Sequence, residues 1–428
     1  MLDLHSIESS LLDKRLKGYP FDADPCAVRD IDARGWNVLR GDLPFPLAVL
    51  RESALDHNLR WMADFAAASG VLLAPHGKTT MAPQLFDRQL RAGAWGMTLA
   101  NMQQVDLCVD LGLRKIIVAN QLAGRLDVEH AGRLQERHPD LQLFFLVDSP
   151  AQLRLISEVA AQGNFRRPCT VLLELGVPDG RTGCRDMDEA LDLARQVAAS
   201  GHAVLAGVEC YEALHLRADS EADRPLVEEQ LDRMHRFALQ CDAERLFGLP
   251  EIILSAGGSA VFDLVARGLP LALSKPVLPI LRSGCYVTHD SGFYERFVQL
   301  LLARTDPAWR QRGGLHPALE VWVQVQSRPE PGLAILAMGK RDASYDLGMP
   351  APLRWAREGE VKNAGSGWTI TRMNDQHAYL ALPADAPLQV GDLVACGISH
   401  PCTTFDKWRW LPLVNDAYDV TGACRTFF

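Results

Sequence analysis

The chain has 428 residues, is 48% hydrophobic and carries a formal net charge of −9 without a basic run, which argues against a nucleic-acid binder, because neutralising phosphates needs clustered Lys and Arg. No apolar run reaches the roughly 20 residues of a membrane helix, and the N-terminus MLDLHSIESSLLDKRLKGYP places charges where a secretory signal has an apolar stretch. The expectation is a soluble cytoplasmic protein that handles small molecules, with no nucleic-acid or membrane partner, long enough for two domains.

Residues 1–45 have no strong pattern of their own and are expected to pack on the second domain. From residue 46 to 296, short apolar runs alternate with amphipathic stretches. The runs 70–75, 115–120, 143–148, 171–175, 205–210 and 251–255 read as buried parallel strands. Between them, 151–162 and 186–200 carry apolar residues at helical spacing. Six to eight such units in about 240 residues suit a closed (β/α)8 barrel, with a doubly wound sheet as the alternative. After about residue 297 the runs 321–326, 333–338, 368–370 and 393–396, separated by Gly, Pro, Asn and Asp, predict an antiparallel β-domain. Ten cysteines are scattered with no CxxC pair, the pattern of reduced core residues in a cytosol.

Catalytic groups of parallel α/β folds gather at the carboxyl ends of strands. Lys78, in Ala74-Pro75-His76-Gly77-Lys78-Thr79-Thr80, follows such a strand. A lysine amine there is a nucleophile toward aldehydes once burial or positive charge lowers its pKa; an ordinary surface lysine is the competing reading. A phosphate loop is excluded by spacing, because its first glycine would have to stand at Leu72. Ser255-Ala256-Gly257-Gly258-Ser259 comes after another strand and before a helical stretch, where backbone N–H groups can point at a phosphate. Arg181 and Tyr211 follow two more strands; as isolated residues they read equally well as a solvated arginine and a packed aromatic. In Gly397-Ile398-Ser399-His400-Pro401-Cys402-Thr403 an extended chain would project His400 and Cys402 to one side, where imidazole and thiolate can share a zinc ion. The ordinary alternative is a core cysteine beside a hydrogen-bonded histidine. Two ligands are also one short of a catalytic zinc, so substrate, water or a further side chain must complete the set.

Taken in order, the lysine segment, the Gly-Gly-Ser turn and the His-Pro-Cys-Thr-Thr-Phe-Asp-Lys-Trp stretch resemble the D-serine dehydratase/D-threonine aldolase family, whose first domain is similar to that of alanine racemase. Within it the chain is most similar to the amino acid deaminase or D-serine deaminase group. The resemblance implies a pyridoxal 5′-phosphate (PLP) enzyme, a (β/α)8 barrel followed by a β-domain, and a homodimer. Carried over by position, it makes Lys78 the Schiff-base lysine and catalytic base, with His76 beside it. Arg181 and Tyr211 would contact the cofactor ring, Ser255, Gly257, Gly258 and Ser259 its phosphate, and His400 with Cys402 a zinc ion, Mn2+ or another divalent ion. The aldolase branch more often has aspartate at the second metal position, so Cys402 favours dehydration. The family often has His after the Lys-Thr pair, where this chain has Thr80-Met81.

The implied reaction is loss of water from a β-hydroxy D-amino acid such as D-serine or D-threonine, giving a 2-oxo acid and ammonia. Its nearest rivals are cleavage to glycine and an aldehyde and dehydration of D-threo-3-hydroxyaspartate. A racemase would need a second acid/base and no metal. A non-catalytic PLP carrier would need neither the metal pair nor the β-domain.

Overall fold

The computed structural model describes residues 1–212 and 215–428. The chain divides into two compact units, one of residues 1–2, 62–78 and 89–284 and the other of residues 3–61, 79–88 and 285–428.

The first unit holds eight parallel strands: β1 (Leu72–Leu73), β2 (Met97–Leu99), β3 (Lys115–Gln121), β4 (Gln142–Val147), β5 (Cys169–Leu175), β6 (Ala203–Cys210), β7 (Ile252–Ala256) and β8 (Val277–Leu281). Their order in the sheet is β1-β8-β7-β6-β5-β4-β3-β2. The ring closes between β1 and β2, where Trp95 N–H donates to Leu73 O at 2.8 Å, Thr98 N–H donates to Pro75 O at 2.9 Å, and His76 bridges Thr98. The expected barrel is therefore present. Its inside is filled by Ala74, Ile117, Phe144, Leu146, Leu172, Ala206, Ile253 and Ile280, each at most 4% exposed. Closing a ring of parallel strands buries both faces of each strand, which is why the runs read as continuously apolar. Gly207 is required by close approach, since a Cβ there would lie 1.9 Å from Ile253 O on the neighbouring strand.

The helical periods are realised as Pro150–Gly163 and Met187–Ala199. Each begins at a side chain that accepts from otherwise unpaired N–H groups of the first turn, Ser149 from Gln152 and Asp186 from Asp188 and Glu189. The helical stretch foreseen after the Gly-Gly-Ser turn runs from Phe262 to Gly268. No helix among the described residues is long and apolar enough to cross a membrane.

The second unit is built on a largely antiparallel sheet. Its central strand, Leu319–Glu330, pairs antiparallel with Leu333–Leu336, Leu393–Gly397 and Leu47–Arg51. Leu47–Arg51 also pairs parallel with Trp410–Val414. Residues 47–51, which the sequence boundary at 46 assigns to the barrel, thus belong to this sheet, because their backbone groups are satisfied by its strands. The N-terminal residues of this unit are tied to it by Lys17 Nζ donating to Asp342 at 3.1 Å and Trp410 Nε1 donating to Lys17 O at 2.9 Å. Asn37 Nδ2 donates to Asp419 at 2.9 Å.

Candidate active site

The polar side chains of the first unit collect at the carboxyl ends of its strands. Lys78 leaves β1 through Ala74-Pro75-His76 and lies in the 3-10 turn Gly77–Thr79, exposed. His76 is fixed by its backbone N–H donating to Arg282 O at 3.1 Å. Burial, together with the positive charges of Lys78, Arg282 and Arg181, holds its imidazole well below the ordinary pKa of 6.5, so the ring is neutral. Its Nδ1 is buried without a hydrogen-bond partner, a cost that a native site accepts when a further group supplies the partner.

Arg282, just past β8, is 6% exposed. Its guanidinium lies 2.6 Å from the Glu209 carboxylate of β6 and donates to Ser255 Oγ at 2.7 Å and to Cys210 O at 3.0 Å. Burial drives the Glu209 carboxyl upward in pKa, against the pull of Arg282. Ser255, expected among the phosphate contacts, is fully buried and donates its hydroxyl to Ile280 O at 3.0 Å. It sits in the interior network that orients Arg282. Glu174 of β5 accepts from Gln121 at 2.5 Å and from Thr182 at 2.9 Å. None of Arg282, Glu209 and Glu174 is among the sequence candidates. For the two glutamates the signal was present, a charged residue inside an otherwise apolar strand, which is rare unless the residue is paired.

The Gly-Gly-Ser turn is arranged for an anion. Gly257 and Gly258 donate their N–H groups to the two carboxylate oxygens of Glu212, each at 2.9 Å. Gly257 has φ +98°, which favours glycine. Ser283 Oγ donates to Gly258 O at 2.8 Å, and Gly284 N–H donates to Ser259 Oγ at 3.3 Å, so the turn is held from behind. Here the two N–H groups are taken by a side chain of the protein itself. The Arg181 guanidinium lies 4.5 Å from the centre of the Tyr211 ring, which brings these two candidates together by cation–π stacking.

In the second unit the His-x-Cys segment is not extended. His400 has φ +70°, Pro401 turns into the right-handed helical region, and Cys402 opens the short helix Cys402–Phe405. Residues separated by one position therefore do not share a face, which corrects the strand-like projection expected from spacing. His400 Nδ1 lies 2.5 Å from Asp346, and Thr403 Oγ1 donates to the same carboxylate at 2.9 Å. Cys402 Sγ instead lies 3.5 Å from Thr79 Oγ1 and 3.7 Å from Cys285 Sγ. Among the described residues no three His, Cys, Asp or Glu side chains converge as the ligands of one metal ion.

Two family models match the chain. The alanine racemase N-terminal domain matches residues 50–268, half of the chain, and the putative serine dehydratase domain matches residues 318–414. The chain belongs to the D-serine dehydratase/D-threonine aldolase family. The family is one of PLP-dependent aldolases and dehydratases of D-amino acids. Among its members, a D-threonine aldolase of Arthrobacter sp is 26% identical over 373 residues, covering 87% of this chain and 89% of the relative. The D-threo-3-hydroxyaspartate dehydratase of Delftia sp. (strain HT23) is 25% identical over 388 residues, covering 81% and 96%. The crystal structure of D-threonine aldolase from Filomicrobium marinum superposes with a TM-score of 0.74 at 24% identity, over 90% of this chain and 95% of that one. At that identity the superposition speaks to the fold alone.

The residues of this family member fit a phosphorylated pyridine aldehyde on three observations. Two adjacent N–H groups already converge on an anion, a buried imidazole nitrogen lacks a partner, and a lysine leaves the same strand end. The second unit carries the residue types that bind divalent ions of intermediate softness, without bringing three of them together among the described residues. It offers thiols at Cys402 and Cys285, and an imidazole whose other nitrogen is held by a carboxylate, as is usual for metal-ligating histidines.

Proposed function

We propose that this protein is a PLP- and metal-dependent lyase that dehydrates and deaminates a β-hydroxy D-amino acid, with D-serine the first substrate to test. Family membership supports the reaction class. The barrel-end cluster of Lys78, neutral His76, and the anion-seating Gly257-Gly258 turn carries the assignment to this chain. Bound PLP supplies an electron sink that makes the substrate Cα proton removable. Lys78 Nζ holds the cofactor's aldehyde carbon between turnovers and takes the Cα proton during them. Gly257, Gly258 and Ser259 orient the phosphate, and Arg181 with Tyr211 lies along the ring. His76, uncharged, offers Nδ1 as a hydrogen-bond partner without adding to the positive charge of Lys78, Arg181 and Arg282.

A metal held by Cys402 and His400 would supply Lewis-acid polarisation of the substrate's β-hydroxyl. Cys402 stands where the aldolase branch more often has aspartate, and this supports dehydration over carbon–carbon cleavage. Aldol cleavage is the second reading, favoured by the 26% identity to a D-threonine aldolase. One assay separates them. Purified protein with PLP and Zn2+ or Mn2+ is expected to release pyruvate and ammonia from D-serine; glycine and acetaldehyde from D-threonine as the dominant products would overturn the proposal.

A further inference from the structure

Cys285 lies 117 residues before Cys402 in sequence, yet their sulfur atoms are 3.7 Å apart. A disulfide bond is about 2.05 Å long, so an approach of roughly 1.7 Å separates this contact from a bond. Two core thiols can touch without consequence, and two further features set this pair apart. Of the ten cysteines only Cys402 is not buried, whereas Cys285 is 5% exposed. An oxidant arriving from solvent therefore meets Cys402 first, with a second sulfur directly behind it. Thr79 Oγ1 lies 3.5 Å from Cys402 Sγ and 3.6 Å from Cys285 Sγ. A hydroxyl has one donor and two acceptor positions, so it can accept from one S–H while donating to the other sulfur, and it favours a thiolate where it donates. Cysteines elsewhere are placed differently. Burial pushes the thiols of Cys108, Cys169, Cys184, Cys241 and Cys424 up to about 12, which keeps them protonated and unreactive.

We propose that Cys402 and Cys285 form a peroxide-oxidised thiol pair, with Cys402 the sulfur that reacts and Cys285 the one that closes it to a disulfide. In the first step the Cys402 thiolate attacks one oxygen of hydrogen peroxide. An S–O bond forms, the O–O bond breaks, and the departing hydroxide takes up the proton that Cys402 gave up, leaving as water. Cys402 is then a sulfenic acid. In the second step the Cys285 thiolate attacks the Cys402 sulfur, the S–S bond forms, the S–O bond breaks, and a second water leaves with the Cys285 proton. Two thiols and one peroxide give one disulfide and two waters; each sulfur loses one electron and each peroxide oxygen gains one. Cys285 sits in the 3-10 turn Cys285–Val287, with its carbonyl accepting from His289 N–H at 2.7 Å, so the second sulfur is held in place and intercepts the sulfenic acid before further oxidation. A dithiol reductant reverses the bond by exchange, itself becoming a disulfide. The pair needs no metal ion to react in this way. Its effect on turnover rests on the metal-dependent reading above, in which the disulfide withdraws the Cys402 thiolate from the ion. The pair was invisible to motif reading because its two sulfurs come from distant elements.

The test exposes the full-length protein, fully reduced and freed of reductant, to a small excess of hydrogen peroxide, then alkylates the remaining thiols for peptide mass spectrometry. The expected result is loss of two of the ten thiols, recovered in one cross-linked peptide pair that joins Cys285 to Cys402 and is released by dithiothreitol. This measurement uses the wild-type protein, so no variant has to fold. In Cys285→Ser the cross-link is absent and Cys402 passes on to sulfinic acid; in Cys402→Ser, Cys285 stays reduced at the same peroxide dose. Wild-type Cys402 that stays reduced while other thiols are lost, or that passes to sulfinic acid without joining Cys285, would overturn the proposal. Zinc is measured in the same samples. Its release in step with the cross-link supports the effect on turnover, whereas zinc retained by cross-linked protein leaves the thiol pair standing and removes Cys402 from the metal.

Discussion

The barrel's carboxyl end and the Cys285/Cys402 corner of the second unit solve different problems. The first is organised by charge. Lys78, Arg181 and Arg282 act together on His76, and Glu209 and Glu212 answer with carboxylates on Arg282 and on the Gly257-Gly258 turn. The second is organised by sulfur, with two thiols and a hydroxyl in mutual reach, and His400 paired with Asp346 nearby in sequence. In a low-dielectric interior unpaired polar and charged groups are expensive, and here the Gly257 and Gly258 N–H groups are met by the Glu212 carboxylate. A neutral thiol carries no such cost.

The comparison breaks first at Lys78. Lys78→Ala is expected to lower turnover by about 10²–10⁴-fold and to remove the visible absorbance of bound cofactor, while zinc content is unchanged; loss of zinc as well would show that the two regions are not independent. Next comes the sulfur corner. Thr79→Val should weaken zinc binding by about 10- to 100-fold, the usual effect of removing a group that supports metal ligands, with the cofactor spectrum retained, read by competition with a chromogenic chelator.

Glu212→Gln examines the carboxylate on the Gly257-Gly258 turn. Without PLP, the variant should lose about 1–3 kcal/mol of stability, since hydrogen bonds to a charged group are replaced by weaker ones. Its affinity for inorganic phosphate should rise about tenfold, a change of about 1.4 kcal/mol, because the competing negative charge is gone. A calorimetric titration showing equal or weaker phosphate binding would mean that phosphate is seated elsewhere.

The smallest expected effect is the pH response of His76. Its folded-state pKa lies well below 6.5, so at acidic pH the unfolded chain takes a proton that the folded protein refuses. The stability that the neutral ring contributes is complete above pH 6.5 and is lost as pH falls below it. Between pH 7.5 and pH 5.5 this amounts to about 1 kcal/mol. His76→Gln should remove that part of the slope in urea unfolding measured at the two pH values.

Much of this was legible in the chain. The alternation of apolar runs with amphipathic helices implies the barrel because parallel strands must be buried on both faces. The strand-end positions of Lys78 and of the Gly257-Gly258 turn follow from the same pattern. Two barrel strands were harder to see. Met97–Leu99 is three residues long, and Val277–Leu281 contains Pro279, which cannot donate to a ladder. The His400-Pro401-Cys402 segment misled in detail, because alternation along an extended chain does not apply to a turn that enters a helix.

The sequence by itself determined which reactive groups this protein carries and where they lie along the chain: a lysine behind a strand, a Gly-Gly turn behind another, and a thiol two positions from an imidazole. Only the tertiary structure decided the partners. Arg282 meets Glu209 because β8 and β6 flank β7 in the closed ring, and Glu212 reaches Gly257 and Gly258 because β6 and β7 are neighbours. Cys285 meets Cys402 across 117 residues of chain. Local spacing sets which way a side chain leaves its own element, whereas the group it meets is set by sheet order and packing, which no short segment encodes.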